Sequence, residues 1–233
     1  MRERRDIHGD PATGHHRQRE HTLYRDKDYG MTMADFKQGD MLGVASKSVI
    51  GVVIREFSMV DGKSASVNHF GQVIGKDGML VVSEANYPKH KFTKIADYLG
   101  AQRRGKCRLT LVRLNKKLWA TDTQRKHATE WMTGFHLAQK NVKYTVGPLI
   151  PMALYSAVRN ITPFIRGRFK GIPTPVPQDL IICSALVDWG WHVGQLMTKT
   201  DFFPSSLGGQ CSPQDILESP HVKFIGGWKK ERI

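Results

Sequence analysis

The chain has 233 residues, of which 40% are hydrophobic and 24% charged, a composition typical of a globular protein with one sizeable core. No stretch supplies the roughly 20 unbroken apolar residues that a membrane-spanning helix needs. The N-terminal sequence is polar and offers no apolar segment ahead of a cleavage site. We therefore expect a protein made in the cytoplasm without a signal peptide, and we expect no membrane span.

The net charge of +14 is concentrated in one segment. Residues 89–126 hold twelve basic and only two acidic side chains. This excess is either a solvated face or a surface that attracts a polyanion, such as an anionic cell-wall polymer, nucleic acid or anionic lipid. Nucleic acid is not the expected partner, because nucleic-acid-binding motifs are absent from the sequence and few aromatic residues lie between these charges.

Residues 1–38 are predicted to form a polar N-terminal arm, flexible or ordered only against a partner, and residues 39–233 the folded domain. Histidines in the arm are too irregularly spaced for a metal site, and the chain has no CxxC pair and no HExxH helix. The sequence therefore predicts no metal and no cofactor. The three cysteines, an odd number at wide spacing, are predicted to be free thiols.

The first half of the domain is rich in β-type apolar runs that follow the turn Gly39-Asp40. Two of these runs flank Gly75-Lys76-Asp77-Gly78, which predicts a hairpin. The predicted extended runs are Met41 to Val44, Val49 to Ile54 (extended or a short helix), Asn68 to Ile74, Met79 to Ala85 and Leu109 to Leu114.

The second half of the domain shows helical spacing. Thr121 to Lys140 is predicted to be a helix capped by Thr121 or Asp122, and a shorter helix is predicted around Met152 to Val158. Ile181 to Leu196 is predicted to be an apolar helix that begins close to Cys183. Strands followed by helices indicate an α+β fold.

Cys183 occupies the predicted first turn of that last helix. Unpaired N–H groups and the positive end of the helix dipole favour a thiolate there, and the same N–H groups are suited to holding an oxyanion. The alternative is a buried structural cysteine in an apolar helix. Cys107 and Cys211 lie in less suitable contexts, before a strand and in a loop.

His69 and Glu84 lie on the two strands of the predicted hairpin. A two- or four-residue turn places both on one face, with His69 opposite either Glu84 or Asn86, whereas a three-residue loop would separate them. A carboxylate beside an imidazole fixes its tautomer and stabilises its protonated form. The alternative is an ordinary surface pair.

At this point the chain resembles the circularly permuted papain-fold hydrolases of the NlpC-like superfamily, especially the YiiX-type group. Four segments match in order over residues 39–225, and Ser212 to Leu217 resembles a later Pro-Asp-Leu segment. Asn68 and Ala185 depart from the family pattern. The four segments are Gly39-Asp40, Asn68 to Ile74 (the histidine strand), Ser83-Glu84-Ala85 and Cys183 to Val187 (the nucleophile helix).

This resemblance implies an antiparallel half-barrel sheet packed on helices, and a catalytic triad of Cys183, His69 and Glu84. It implies acyl transfer through a thioester, with an amide bond of peptidoglycan stem peptides as the favoured substrate and lipid-linked acyl groups as the alternative. A different class of function also stays open: a structural or assembly protein of a phage tail or virion, with a partner bound through the arm. A third hypothesis is a polyanion-binding module.

Overall fold

The computed structural model of the protein describes residues 30–47, 66–86, 89–139, 143–144, 180–181, 183–198, 202 and 213–228. The elements predicted at 49–54 and 152–158, and residues 1–29 of the predicted arm, lie outside the described residues. Within the described part, no helix has the length and apolar character to span a membrane.

A single sheet organises the described residues, with strand order β7-β6-β4-β3-β2-β1-β5-β8. Neighbouring strands run antiparallel except for the short pair β6 and β7, which is parallel. The strands are β1 (Met41–Ser46), β2 (His69–Lys76), β3 (Met79–Asn86), β4 (Lys89–Lys94), β5 (Cys107–Leu114), β6 (Lys143–Tyr144), β7 (Leu180–Ile181) and β8 (Val222–Gly227).

Four α-helices accompany the sheet in the described ranges, which confirms the predicted α+β class. Short 3-10 turns occupy Met33–Asp35 and Lys116–Leu118. The helices are α1 (Ile95–Arg103), α2 (Asp122–Ala138), α3 (Cys183–Thr198) and α4 (Pro213–Glu218).

The predicted hairpin is confirmed as β2 and β3. Its turn has two residues, Asp77 at φ 50° and Gly78 at φ 75°, and positive φ at both positions is what a tight hairpin turn of this length requires. Lys76 pairs with Met79, and Gln72 pairs with Ser83. The same register, extended, sets His69 opposite Asn86, so that His69 and Glu84 share one face of the sheet.

The predicted helix after β5 is also confirmed. Helix α2 begins after Thr121, whose hydroxyl accepts the backbone N–H of Gln124 at 3.0 Å, as an N-cap does. Its side chains at 128 and 132 are fully buried and join the same apolar cluster as Trp191 of α3. Helix α2 therefore packs against α3 on one side of the sheet.

Two apolar clusters lie on the two faces of the sheet. The first joins alternate residues of β2, such as Phe70 and Ile74, to side chains of α2 and α3. The second contains Val73 of β2 and Val82 of β3, which lie on the opposite face of the sheet, together with Leu99 of α1. Met31 and Phe36, two residues within the predicted arm, are buried in the second cluster as well.

Some elements differ from the sequence expectation or were not predicted. The apolar helix begins at Cys183 rather than Ile181, because Leu180 and Ile181 pair with β6 as a short strand. Strand β4, helix α1 and strand β8 were not predicted at all. In β4 (KHKFTK) three of the six residues are lysines and only Phe92 is strongly apolar, so the segment lacks the apolar run that marked the other strands.

Candidate active site

His69 and Glu84 are in direct contact at the open end of the hairpin. Nε2 of His69 lies 2.5 Å from Oε2 of Glu84. The Glu84 side chain is fully buried, whereas 18% of the His69 side chain is exposed. Because a carboxylate can only accept, Nε2 carries the hydrogen and Nδ1 is left for a second partner.

Further side chains hold the Glu84 carboxylate in place. Tyr98 of α1 donates its hydroxyl to Oε2 at 2.5 Å, and the hydroxyl of Thr93 on β4 donates to Oε1. Lys91 lies 3.5 Å from Oε1. Both oxygens of the buried carboxylate are therefore satisfied, which is the condition for burying a charge at tolerable cost.

Helix α3 brings Cys183 to the same place. The helix packs against β2 and β3, and Cys183 is its first residue, with only 4% of its surface exposed. Its sulfur shares a hydrogen bond with the His69 imidazole, and the backbone N–H groups of Phe70 and Ser184 donate to it. The structure thus brings together all three residues that the sequence singled out.

The charges at the site favour a thiolate and an imidazolium. Burial opposes charge on the sulfur, but the positive charge of His69, its hydrogen bond and the two backbone N–H groups together hold the pKa of Cys183 below its ordinary value. Burial likewise opposes charge on His69, yet the charges and hydrogen bonds of Cys183 and Glu84 raise the pKa of His69 to about 10. Proton transfer from sulfur to imidazole is favoured in the resting site.

Glu84 carries a stable negative charge in this arrangement. Burial favours its neutral form, but the hydrogen bond and charge of His69, with the hydroxyls of Thr93 and Tyr98, lower the pKa of Glu84 to about 2. Burial and the nearby carboxylate raise the pKa of Tyr98, so its hydroxyl stays a donor.

The sequence did not predict that Thr93 of β4 and Tyr98 of α1 bind Glu84. The signal that could have found Thr93 is the antiparallel pairing of β3 with β4, in which Val82 opposes Thr93. Once that register is known, Thr93 and Glu84 fall on one face. Nothing in the sequence marks Tyr98, because the contact depends on how α1 packs against the sheet.

A second polar cluster lies on the opposite face of β3. The hydroxyl of Ser83 lies 2.7 Å from Nε2 of His90 and 2.8 Å from Nδ1 of His136. His136 is fully buried, and its Nε2 has no hydrogen-bond partner in the part of the chain that the structure describes. Burial, reinforced by His90, lowers the pKa of His136 to about 3, so this cluster is neutral at physiological pH.

Of the two other cysteines, Cys107 is buried in β5, away from His69, with its pKa raised chiefly by burial. Cys211 lies outside the described residues. Across the described ranges, no group of three or more His, Cys, Asp or Glu side chains is arranged to hold a metal ion.

Neither a protein-family model nor a curated protein matches this chain. Among solved structures, the crystal structure of the metalloprotein yiiX from Escherichia coli O157:H7 is similar, with 13% sequence identity and a TM-score of 0.49. The similarity covers 81% of this chain and 96% of that chain. At this identity and TM-score the likeness carries no argument about chemistry, so the site must be interpreted from its own geometry.

Proposed function

We propose that the protein is a thiol hydrolase of the papain-like type, with Cys183 as nucleophile, His69 as proton carrier and Glu84 as the group that orients His69. The observation that carries the proposal is the continuous chain of contacts from sulfur to imidazole to carboxylate. The three groups come from the start of a helix and from two adjacent strands, and together they supply the thiolate, the base and the orienting group that nucleophilic cysteine chemistry requires.

The order of the elements supports a permuted version of that fold. The nucleophile helix α3 follows the histidine strand β2 in the chain, and it packs on an antiparallel sheet whose other face carries α1. A histidine strand that precedes the cysteine helix is the order expected of the circularly permuted group that the sequence resembles, and this agreement supports the proposal.

The proposed reaction has two steps. The thiolate of Cys183 attacks the carbonyl carbon of an amide, and the imidazolium of His69 gives its Nδ1 proton to the departing amine as the C–N bond breaks. Water then attacks the thioester while His69 takes a proton from it, the C–S bond breaks, and release of the carboxylic acid restores the thiolate–imidazolium pair. Glu84 keeps Nε2–H fixed through both steps.

The proposed substrate is an amide bond in peptidoglycan stem peptides. Besides the resemblance, the support is the basic excess of residues 89–126, which suits an anionic wall polymer. The test incubates purified peptidoglycan with the protein and quantifies new amine ends, with Cys183→Ala as the control. New amine ends from the wild type alone uphold this substrate; cleavage of a thioester or lipid ester instead would assign the acyl or lipid alternative.

The alternative is that the protein uses this fold only to bind a partner, as a structural component of a phage tail or virion would. This alternative predicts a different result. No substrate class would then be cleaved, and Cys183 would react with thiol reagents as slowly as an ordinary buried cysteine. The pair of measurements therefore separates a hydrolase from an assembly protein.

A further inference from the structure

A basic cleft of about 640 Å³ opens at the other end of the sheet from Cys183. Gln38 and Gly39, which precede β1, border the cleft, whereas the proposed active site lies near Val44, which pairs with His69. Val44 is five residues beyond Gly39, and five extended residues span about 16 Å. The cleft also contains Trp191, two turns and about 12 Å beyond Cys183 along α3. It is therefore separate from the proposed active site.

Positive charge converges on this cleft from β5, β8, α2 and two connecting segments. Among the described residues, Glu130 is the one acidic side chain that lines it, and two more carboxylates, Asp40 and Asp122, contact its cations. The cleft and these partners thus carry an excess of about three positive charges. The basic side chains are Lys37, Arg113, Lys116, Arg125, Lys126 and Lys223.

Most of this charge is available to a ligand. Lys37 and Lys223 have no ion pair among the residues that the structure describes. The contacts of Lys116 and Arg125 with Asp122, at 3.6 and 3.3 Å, join exposed side chains. Exposed pairs of this kind are worth about 1 kcal/mol or less, so an anion can draw these cations away from their partners.

Arg113 gives the cleft a fixed cation. It makes two parallel hydrogen bonds to the fully buried Asp40, Nε to Oδ1 at 2.5 Å and Nη2 to Oδ2 at 2.8 Å. Such a bidentate pair holds the guanidinium plane in one orientation. Arg113 is thus a rigid element of the wall, while the lysines around it are adjustable.

The wall also has an apolar part. Trp119 and Trp191 line the cleft, and their indole rings are largely buried, at 8% and 2% exposed.

We propose that this cleft binds the diphosphate group of an organic diphosphate. An excess of about three positive charges matches a diphosphate better than a single carboxylate, the volume lies in the range of small-ligand sites, and the edges of the two indole rings give the wall an apolar part beside the charges. The source of the diphosphate is a soluble molecule or a lipid headgroup.

Calorimetric titration of the full chain with pyrophosphate and with ADP tests the site. Lys37→Gln and Lys223→Gln should each weaken binding at least about tenfold, since each removes a charge-assisted hydrogen bond to the ligand. The matched control is Lys106→Gln, which removes the same charge from an exposed turn outside the cleft. Cys183→Ala should bind as the wild type does, so the result is independent of the proposed hydrolase activity.

Vesicles distinguish the two sources. The protein is sedimented with phosphatidylcholine vesicles that carry a prenyl diphosphate and with plain vesicles. More protein on the diphosphate vesicles, with the difference abolished by Lys223→Gln, would assign the lipid headgroup. Binding of ADP without a preference for the diphosphate vesicles would assign a soluble ligand. The proposal is overturned if neither pyrophosphate nor ADP binds, or if Lys106→Gln weakens binding as much as the two cleft variants do.

Discussion

Tyr98 and His69 donate to the same oxygen of Glu84, each at 2.5 Å. Helix α1 therefore contributes directly to the orientation of the imidazole, although it carries none of the three residues of the proposed triad. The buried carboxylate is the point at which β2, β3, β4 and α1 meet. Positioning of His69 thus depends on the packing of α1 as well as on the hairpin.

The first prediction concerns Tyr98→Phe. This variant should lower the free energy of unfolding at pH 7 by about 1.5–3 kcal/mol, because it removes a hydrogen bond to an ionised group. Glu84 has its pKa lowered to about 2 from 4.5, so its ionised form contributes stability above about pH 4.5 that is lost as pH falls toward 2. The difference between variant and wild type should shrink over that interval in urea unfolding.

A double-mutant cycle with Glu84→Gln isolates this contact. If Tyr98→Phe destabilises the Glu84→Gln protein as much as it does the wild type, the hydroxyl does not act through the carboxylate.

The second prediction concerns the charge of Glu84. Glu84→Gln keeps the size of the side chain but removes the anion that raises the pKa of His69. A less basic imidazole stabilises the thiolate less, so alkylation of Cys183 near pH 6 should slow by about tenfold. Quenched alkylation followed by peptide mass spectrometry measures the rate.

Glu130→Gln, an exposed position on α2, is the matched control for that experiment and should leave the rate unchanged. Equal rates in the wild type and Glu84→Gln would show that the carboxylate has no part in activating the sulfur.

The third prediction concerns acid stability and His136. The folded-state pKa of His136 is about 3, against an ordinary value of 6.5, so the unfolded chain binds the proton first. The contribution of His136 to stability is therefore complete above about pH 6.5 and falls by up to about 1.4 kcal/mol per pH unit below it. Urea unfolding of the wild type and of His136→Gln across this range measures the slope.

His136→Gln should be less stable at pH 7 but less sensitive to acid. Replacement of the exposed His127 on the same helix, His127→Gln, should leave the slope as it is in the wild type. A His136→Gln protein with the wild-type slope would contradict the assignment.

The fourth prediction concerns Gly190 of α3. A Cβ atom there would lie 2.4 Å from Nε2 of His136 and 3.4 Å from Cγ of Met132. Gly190→Ala should therefore destabilise the protein by about 1–3 kcal/mol through overpacking. Gly134→Ala on α2, where a Cβ meets no atom within 4 Å, should be neutral or stabilising by up to about 1 kcal/mol. Thermal unfolding compares the two, and equal effects would refute the packing argument.

The sequence pattern predicted the hairpin and, for a two- or four-residue turn, the shared face of His69 and Glu84, but the choice among the turns came from the structure, in which Asp77-Gly78 forms a two-residue turn. That is why His69 and Glu84 could be paired before any coordinates. The start of α3 was predicted to within two residues, also from a local pattern: the spacing of the apolar residues changes from extended to helical close to Cys183.

Contacts that depend on tertiary packing could not be predicted. The lysines of β4 leave it without an apolar run, and the approach of Tyr98 to Glu84 is set by the placement of a whole helix. The basic segment 89–126 could be counted, but its division between the two ends of the sheet could not. Lys91 lies beside Glu84, whereas Arg113 and Arg125 line the distant cleft with Lys223.

The most direct test of the thiol site is the pH dependence of alkylation at each cysteine with a small electrophile, in the wild type and in His69→Ala. The account predicts that Cys183 reacts well below pH 8, faster than Cys107, and that His69→Ala abolishes this advantage. Cysteines that all titrate near the ordinary thiol value, with Cys183 unaffected by the loss of His69, would contradict it.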